Sequence, residues 1–190
     1  MYRPEGRINY GQVFKDPVDI SNLSINLDIK PAAESFFLEV VKSKVSSDSK
    51  FELTTLNDFK GRWLLVRLGP SVCDLNCERD LHIMRQVRLM TGKNRSRVER
   101  IWLISDNKKV PNKNDIKEYE GTWGLRVDSK NNTFSNIFEN KDENINVDNH
   151  GEGIWLVDPR GLLIMRYPVN PDIGKIHKDL TRLLKVSRIG

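Results

Sequence analysis

From Phe51 onward, short apolar runs alternate with amphipathic stretches, whereas the first fifty residues show little periodicity. Phe51-Glu-Leu-Thr-Thr-Leu56 alternates and ends at Asn57-Asp58, which predicts a strand and a turn. Trp63-Leu-Leu-Val-Arg-Leu68 is almost continuously apolar, as expected of a strand covered on both faces. After Gly69-Pro70, the residues Leu81, Met84, Val87 and Met90 recur every three positions up to Gly92, which predicts a helix with a buried face. Ile101-Trp-Leu-Ile104 predicts another buried strand and Trp123 to Val127 a short one, with helix candidates around Ile116 and Phe134. Ile154-Trp-Leu-Val157 then meets Leu162-Leu-Ile-Met-Arg-Tyr167 across Asp158-Pro159-Arg160-Gly161. Proline in the second turn position and glycine in the fourth suit a type I turn, so this pair reads as a hairpin. Ile173, Ile176, Leu180, Leu183 and Leu184 give a closing amphipathic helix.

Strand, helix, strand, hairpin and final helix is the order of an α/β, thioredoxin-like sandwich, with a mixed central sheet and helices on both faces. Residues 1–49 read as an irregular N-terminal extension laid against a domain spanning 50–190. Pro17 and Pro31 punctuate small clusters such as Ile20, Leu23, Ile25 and Leu27, and Phe36, Phe37, Val40 and Val41 form a second patch. Ser46 to Ser49 make a polar break before the main domain.

Composition narrows the function classes. The 190 residues are 38% hydrophobic and 30% charged, enough for a real core in one domain. The net charge of +5 is spread among interleaved acids and bases, without an Arg/Lys stripe carrying stacking aromatics, so no nucleic-acid partner is expected. Two cysteines exclude a disulfide-dense scaffold and a four-cysteine metal site. No apolar run approaches the roughly 18–20 residues of a membrane span, and the N-terminus lacks the order of a signal peptide. The chain as given reads as soluble.

Cys73 and Cys77 fall where the second strand hands over to the long helix, the place where open α/β sheets put their sites. Four residues apart, the sulfurs share a helix face, and the positive end of the helix favours the thiolate. Asp74 and Glu78 oppose that effect locally while Arg79 assists it. Such a pair suits thiol–disulfide exchange or a soft metal, and the spacing, with Cys73 preceding the long helix and Cys77 in its first turn, predicts an intramolecular disulfide whose closure can involve unwinding or bending that turn. Of three histidines, His82 faces away from the sulfurs and His177 sits on the solvated face of the last helix. His150 stands in a polar stretch just before a buried strand. Two thiolates and one imidazole make a three-ligand set suited to copper, Cu(I) through sulfur and Cu(II) with help from nitrogen. A structural zinc site asks for a fourth ligand. A peroxidatic Pro-x-x-x-Thr/Ser-x-x-Cys motif fails because Pro70 occupies the Thr/Ser position.

The segment Gly69-Pro-Ser-Val-Cys73-Asp-Leu-Asn-Cys77-Glu-Arg-Asp-Leu81 resembles, without a gap, the copper-site segment of the Sco/SenC family, Gly-Phe-Thr-x-Cys-Pro-x-x-Cys-Pro-x-x-Leu. In that family the third copper ligand is a His followed nine residues later by a Pro, a spacing that His150 and Pro159 reproduce. Phe51-Glu-Leu and Gly61-Arg-Trp-Leu-Leu-Val resemble its opening strands. Asp74 and Glu78 replace the prolines beside the cysteines, and the family's Asp-Pro-x-Arg-Asp loop is reduced to Ser105-Asp106-Asn107, the mark of a divergent bacterial branch. The resemblance implies one copper ion held by Cys73, Cys77 and His150, as Cu(I), Cu(II) or both. It implies a partner in the copper-site subunit of cytochrome c oxidase or another copper or thiol protein. Tyr2 to Gly11 resembles the segment that follows a membrane anchor in that branch, which implies a location on the periplasmic side of the inner membrane.

Three functions compete at this stage. The first is a copper-binding assembly factor that helps metallate cytochrome c oxidase, acting as a metallochaperone. The second is a thiol–disulfide oxidoreductase that reduces the cysteines of a copper site, with Cys73 and Cys77 as the redox-active thiols and His150 dispensable. The third is a scaffold domain that has lost its chemistry.

Overall fold

Two fully buried strands, β3 (Trp63–Gly69) and β4 (Val98–Ile104), lie side by side in parallel at the middle of a seven-stranded sheet. The computed structural model describes residues 9–29, 53–111, 120–127, 137 and 153–187. β5 (Thr122–Val127) continues the parallel set beside β4. On the other side β6 (Ile154–Val157) runs antiparallel to β3, and β7 (Leu162–Arg166) antiparallel to β6. The edges come from the N-terminal residues: β1 (Gln12–Asp19) pairs with β7 and β2 (Ile25–Ile29) with β5, giving the order β1-β7-β6-β3-β4-β5-β2. The mixed α/β sheet and its thioredoxin-like layering are those expected from the pattern.

The predicted hairpin is present. Gly161 donates its N–H to the Asp158 carbonyl at 2.9 Å, and Asp158 Oδ1 accepts from the backbone of Arg160 and Leu162. Gly161 has φ +91°, a conformation a side chain would strain. Helix α1 (Leu75–Met90) buries Leu81, Met84 and Val87 as its spacing predicts, but Met90 is exposed at the last turn. Helix α2 (Ile173–Val186) buries Ile176, Leu180 and Leu184 and is capped by Asp172.

Both helices pack on one face of the sheet, against Leu65, Trp102, Leu156 and Tyr167. The opposite face is covered by Phe14, Ile20, Leu23, Leu53, Leu56 and Phe59, with helical Ile137 packed against them. Most of the helix candidate around Phe134 lies outside the described residues, as do the candidate around Ile116 and the patch from Phe36 to Val41.

Two local expectations are corrected. In the stretch predicted as a strand ending at Leu56, the described residues make only a bridge from Thr55 to Ser24 and then a 3-10 turn over Leu56–Phe59. The cause is Asp58, whose carboxylate accepts from the N–H groups of Thr54 and Thr55 and folds the chain back. In the N-terminal extension, the described residues include two edge strands, β1 and β2, and are not irregular throughout. Phe14 is the one fully buried residue of β1, and the register shifts between Val13 and Val18 around Pro17, so no alternation survives in the sequence.

Glu99 is a charge inside this core. Its Oε2 accepts from Trp123 Nε1 at 3.1 Å, and burial pushes its carboxyl up against the opposing pull of Arg88, Trp123, Arg62 and Arg100. An acid raised in the folded state stabilises the fold below its ordinary value of 4.5 and loses that contribution as pH rises through the folded value. Glu99→Gln, which keeps the acceptor for Trp123, should match wild type below about pH 4 and be the more stable protein at pH 7. Denaturant titrations at both pH values check this, and a stability difference independent of pH would contradict it.

Candidate functional site

The chain leaves the sheet at Gly69 and enters α1 at Leu75, and both cysteines lie at that passage. Asp74 is the N-cap: its Oδ1 accepts from the Cys77 N–H at 2.9 Å, which satisfies one of the orphan donors of the first turn. Cys73 therefore precedes the helix and Cys77 occupies its first turn, as predicted. The two are joined in a disulfide with Cα atoms 5.1 Å apart. Because Cys73 lies outside the helix, the disulfide closes without bending the first turn. Asp74, read from sequence only as a charge opposing the thiolate, anchors the turn that carries Cys77.

The sulfurs are unequal. Cys77 is buried among Leu81, Leu65 and Ile154, while Cys73 is half-buried at the rim. Val72 and Leu75 beside them are exposed, Leu75 to 82%. Below the loop, the buried Ser71 donates its N–H and O–H to Asp106 Oδ2 at 3.2 and 3.1 Å. Arg126 joins Asp106 to Asp28 of β2, with Nη2 3.0 Å from Asp28 Oδ2. Burial pushes the Asp106 carboxyl up, but the bonds from Ser71 and Lys108 and the charge of Arg126 together hold it below the usual range. Sequence reading saw residues 105–107 only as a shortened loop; a contact this distant leaves no local signal.

A second missed group is the ion pair of Arg67 and Asp80 under α1. Here a signal existed, since a charged residue within a strand buried on both faces must find a partner.

His82 is exposed on α1, away from the buried Cys77. His177 is half-buried, its Nε2 3.2 Å from Thr181 Oγ1. His150 lies outside the described residues. Gly153 and Ile154 beyond it are described, and Ile154 opens β6 opposite Arg67 of β3. The chain thus comes into β6 at the end of the sheet from which β3 leaves toward Cys73. Among the described residues no three His, Cys, Asp or Glu side chains form a metal-binding group. Nor, among them, is any helix long and apolar enough to cross a membrane.

A mixed sheet with a Cys-x-x-x-Cys disulfide at the capped start of the helix after the central strand defines a thioredoxin-like domain with its thiol pair in the fold's usual place. The chain belongs to the family of transmembrane-like, thioredoxin-like C-terminal domains, whose model matches residues 63–187. No curated protein matches it. Its neighbours among solved structures are mostly Sco/SenC proteins, as the sequence resemblance implies. Apo Sco1 from Thermus thermophilus is 13% identical with a TM-score of 0.53, over 95% of this chain and 98% of that one. BsSco, a member of the Sco family of cytochrome c oxidase assembly proteins with a disulfide switch, is 15% identical with a TM-score of 0.53, over 92% and 99%. Arabidopsis thaliana ScoI with copper bound is 12% identical with a TM-score of 0.51, over 72% and 92%. At these identities the likeness is one of fold.

Proposed function

We propose that the protein is a copper-binding assembly factor that helps metallate cytochrome c oxidase, carrying one copper ion as cargo on Cys73, Cys77 and His150. The observation that carries this reading is the juxtaposition of the two sulfurs at the capped start of α1. Once the disulfide is reduced, two soft donors from one turn suit Cu(I), and an imidazole completes a set that also holds Cu(II). The course of the chain into β6 supports His150 as that imidazole, and the copper-bound Sco neighbour supports the cargo. The partner is the copper-site subunit of the oxidase or another copper or thiol protein. The working location is the periplasmic side of the inner membrane, reached through an anchor.

The disulfide favours a second reading, a thiol–disulfide oxidoreductase acting on cysteines of a copper site. Once the pair is reduced, half-buried Cys73 is then the thiolate that attacks a partner disulfide, and buried Cys77 displaces the partner's second sulfur from the mixed disulfide, leaving Cys73–Cys77 oxidised and the partner as a dithiol.

Copper titration of the reduced protein separates the two, read by visible absorption and bound-metal analysis. Wild type should take up one equivalent, less tightly as pH falls and the ligands protonate. Replacing either cysteine should abolish uptake, and His150→Ala should weaken Cu(II) more than Cu(I). His82→Ala and His177→Ala should change neither. If reduced wild type takes up no copper, or His150→Ala binds both states like wild type, the assignment falls and the oxidoreductase reading replaces it.

A further inference from the structure

Between Asp80 and Glu99 the chain carries no acid, while Arg85, Arg88, Lys93, Arg95 and Arg97 all fall in that interval. The fold gathers most of them at one end of the sheet. α1 ends at Met90, a 3-10 helix follows over Gly92–Arg97, and β4 starts at Val98 beside Trp63, the first residue of β3. This end is opposite the one from which β3 leaves toward Cys73. α2 ends here too: Arg97 donates from Nη1 to the Leu184 carbonyl at 2.9 Å and from Nη2 to that of Ser187 at 3.0 Å. Lys93, Arg95 and Lys185 are exposed, and among the described residues none of the three has an acid paired with it. The acids nearby are engaged elsewhere. Glu120 faces Arg85 at 3.4 Å, Asp158 faces Arg160 at 2.7 Å, and Glu99 is buried against Trp123. Asp19 and Asp58 are bound into turns beside the other face of the sheet, accepting from Ser21 and from Thr54 and Thr55. The same end shows apolar side chains to solvent, Leu89 and Met90 to 45% and 47% and Val186 to 74%. Beside Val186 opens a cavity of about 350 Å³ walled by Trp63, Pro159 and Leu183.

We propose that this end of the domain is a docking surface for an anionic phospholipid bilayer. Cations alone make a solvated face, and apolar side chains alone a protein contact. Their mixture suits a lipid interface, where charge meets the headgroups and apolar groups meet the acyl boundary. Leu89, Met90 and Val186 enter that boundary, to a depth of about 5–10 Å, while Lys93, Arg95 and Lys185 meet the phosphates. Each cation beside an anionic surface contributes about fivefold to the affinity. A single-stranded nucleic acid asks instead for exposed aromatics on which bases stack, and Trp63 at the cavity wall is 5% exposed. β3 separates this end from the cysteines by the length of a seven-residue strand, about 20 Å. The docked domain therefore holds its disulfide away from the bilayer and open to a partner. Neither copper nor the redox state of the cysteines enters the contact.

The test is co-sedimentation of the full chain with vesicles of equimolar phosphatidylglycerol and phosphatidylcholine, and with vesicles of phosphatidylcholine alone. Wild type should bind the first and not the second, and added salt should weaken the binding. K93E/R95E should weaken it at least about twentyfold, since two cations are lost and two anions take their place. K15E/K109E changes the net charge equally, at exposed positions on β1 and in the loop after β4, and should stay within about threefold of wild type. L89S/M90S removes apolar contact without touching charge and should weaken binding about tenfold. Wild type that binds both kinds of vesicle alike, or neither, overturns the proposal, and binding to neither leaves the basic end to an acidic protein. A loss in K15E/K109E equal to that in K93E/R95E also overturns it, because net charge alone would then decide. So does an L89S/M90S variant that binds like wild type, which would mark a surface for polyanions rather than for lipid.

Discussion

Alanine in place of Trp155 should destabilise the protein by about 3–5 kcal/mol. Trp155 is wholly buried in β6, paired with Val66 of β3 on one side and Arg166 of β7 on the other. Its ring lies 5.9 Å from that of Phe14 in β1, and the Arg166 guanidinium stands 4.8 Å from its centroid. The substitution opens a cavity against two neighbouring strands, removes the ring on which Phe14 rests, and strips a cation of its aromatic partner. None of these neighbours can collapse into the space without breaking the ladder. Guanidinium chloride unfolding followed by far-UV circular dichroism measures the loss, and a cost under about 1 kcal/mol would show that this face repacks freely.

Asp179→Ala should cost about 3–5 kcal/mol, concentrated at one edge of the sheet. The buried Asp179 Oδ2 accepts from the backbone N–H groups of Tyr10 and Gly11 at 2.8 and 2.9 Å, tying the start of β1 to α2. Hydrogen bonds to a charged acceptor contribute about 1.5–3 kcal/mol each, and both donors lose their partner together. The Tyr167 hydroxyl is buried nearby with no hydrogen bond among the described residues; burial, and then the Asp179 charge, push its ionisation upward. Hydrogen exchange resolves the effect by residue. Amides of Gln12–Asp19 should lose protection while those of β3 and β4 keep theirs. Uniform loss across the sheet would mean that the contact supports the whole domain.

The central strands, the hairpin and both helix faces were legible because each depends on neighbours within a few residues. Trp63 to Leu68 reads as buried on both faces whatever lies beside it, and Asp158 to Gly161 closes its turn with its own backbone. The cysteine pair was legible for the same reason, since the strand end, the break at Pro70 and the helix start are adjacent in sequence. What escaped were features settled by distant partners. β1 and β2 are edge strands with few buried positions, so their pairing is invisible until β7 and β5 are in place. Leu53 to Leu56 alternates like a strand, yet the Asp58 carboxylate outcompetes the ladder for its N–H groups. The clamp of Asp106 on Ser71 and the match of Arg67 with Asp80 join residues from separate elements, and only the folded chain brings them together.

The placement of β1 also fixes the order in which the molecule can be assembled. Gln12 pairs with Arg166, so β1 leaves the ribosome well before the strand it pairs with. The parallel β3–α1–β4 unit can form early, because its contacts are local by comparison. β1 must wait, its backbone donors exposed, until the β6–β7 hairpin has been made. Pro17 and the charges of Lys15, Asp16 and Asp19 suit a strand that spends this interval in water, since they discourage pairing with another nascent chain. Closure of that edge then waits on synthesis of the hairpin, and a chain stopped short of Leu162 would present β1 to the cell as an unpaired strand.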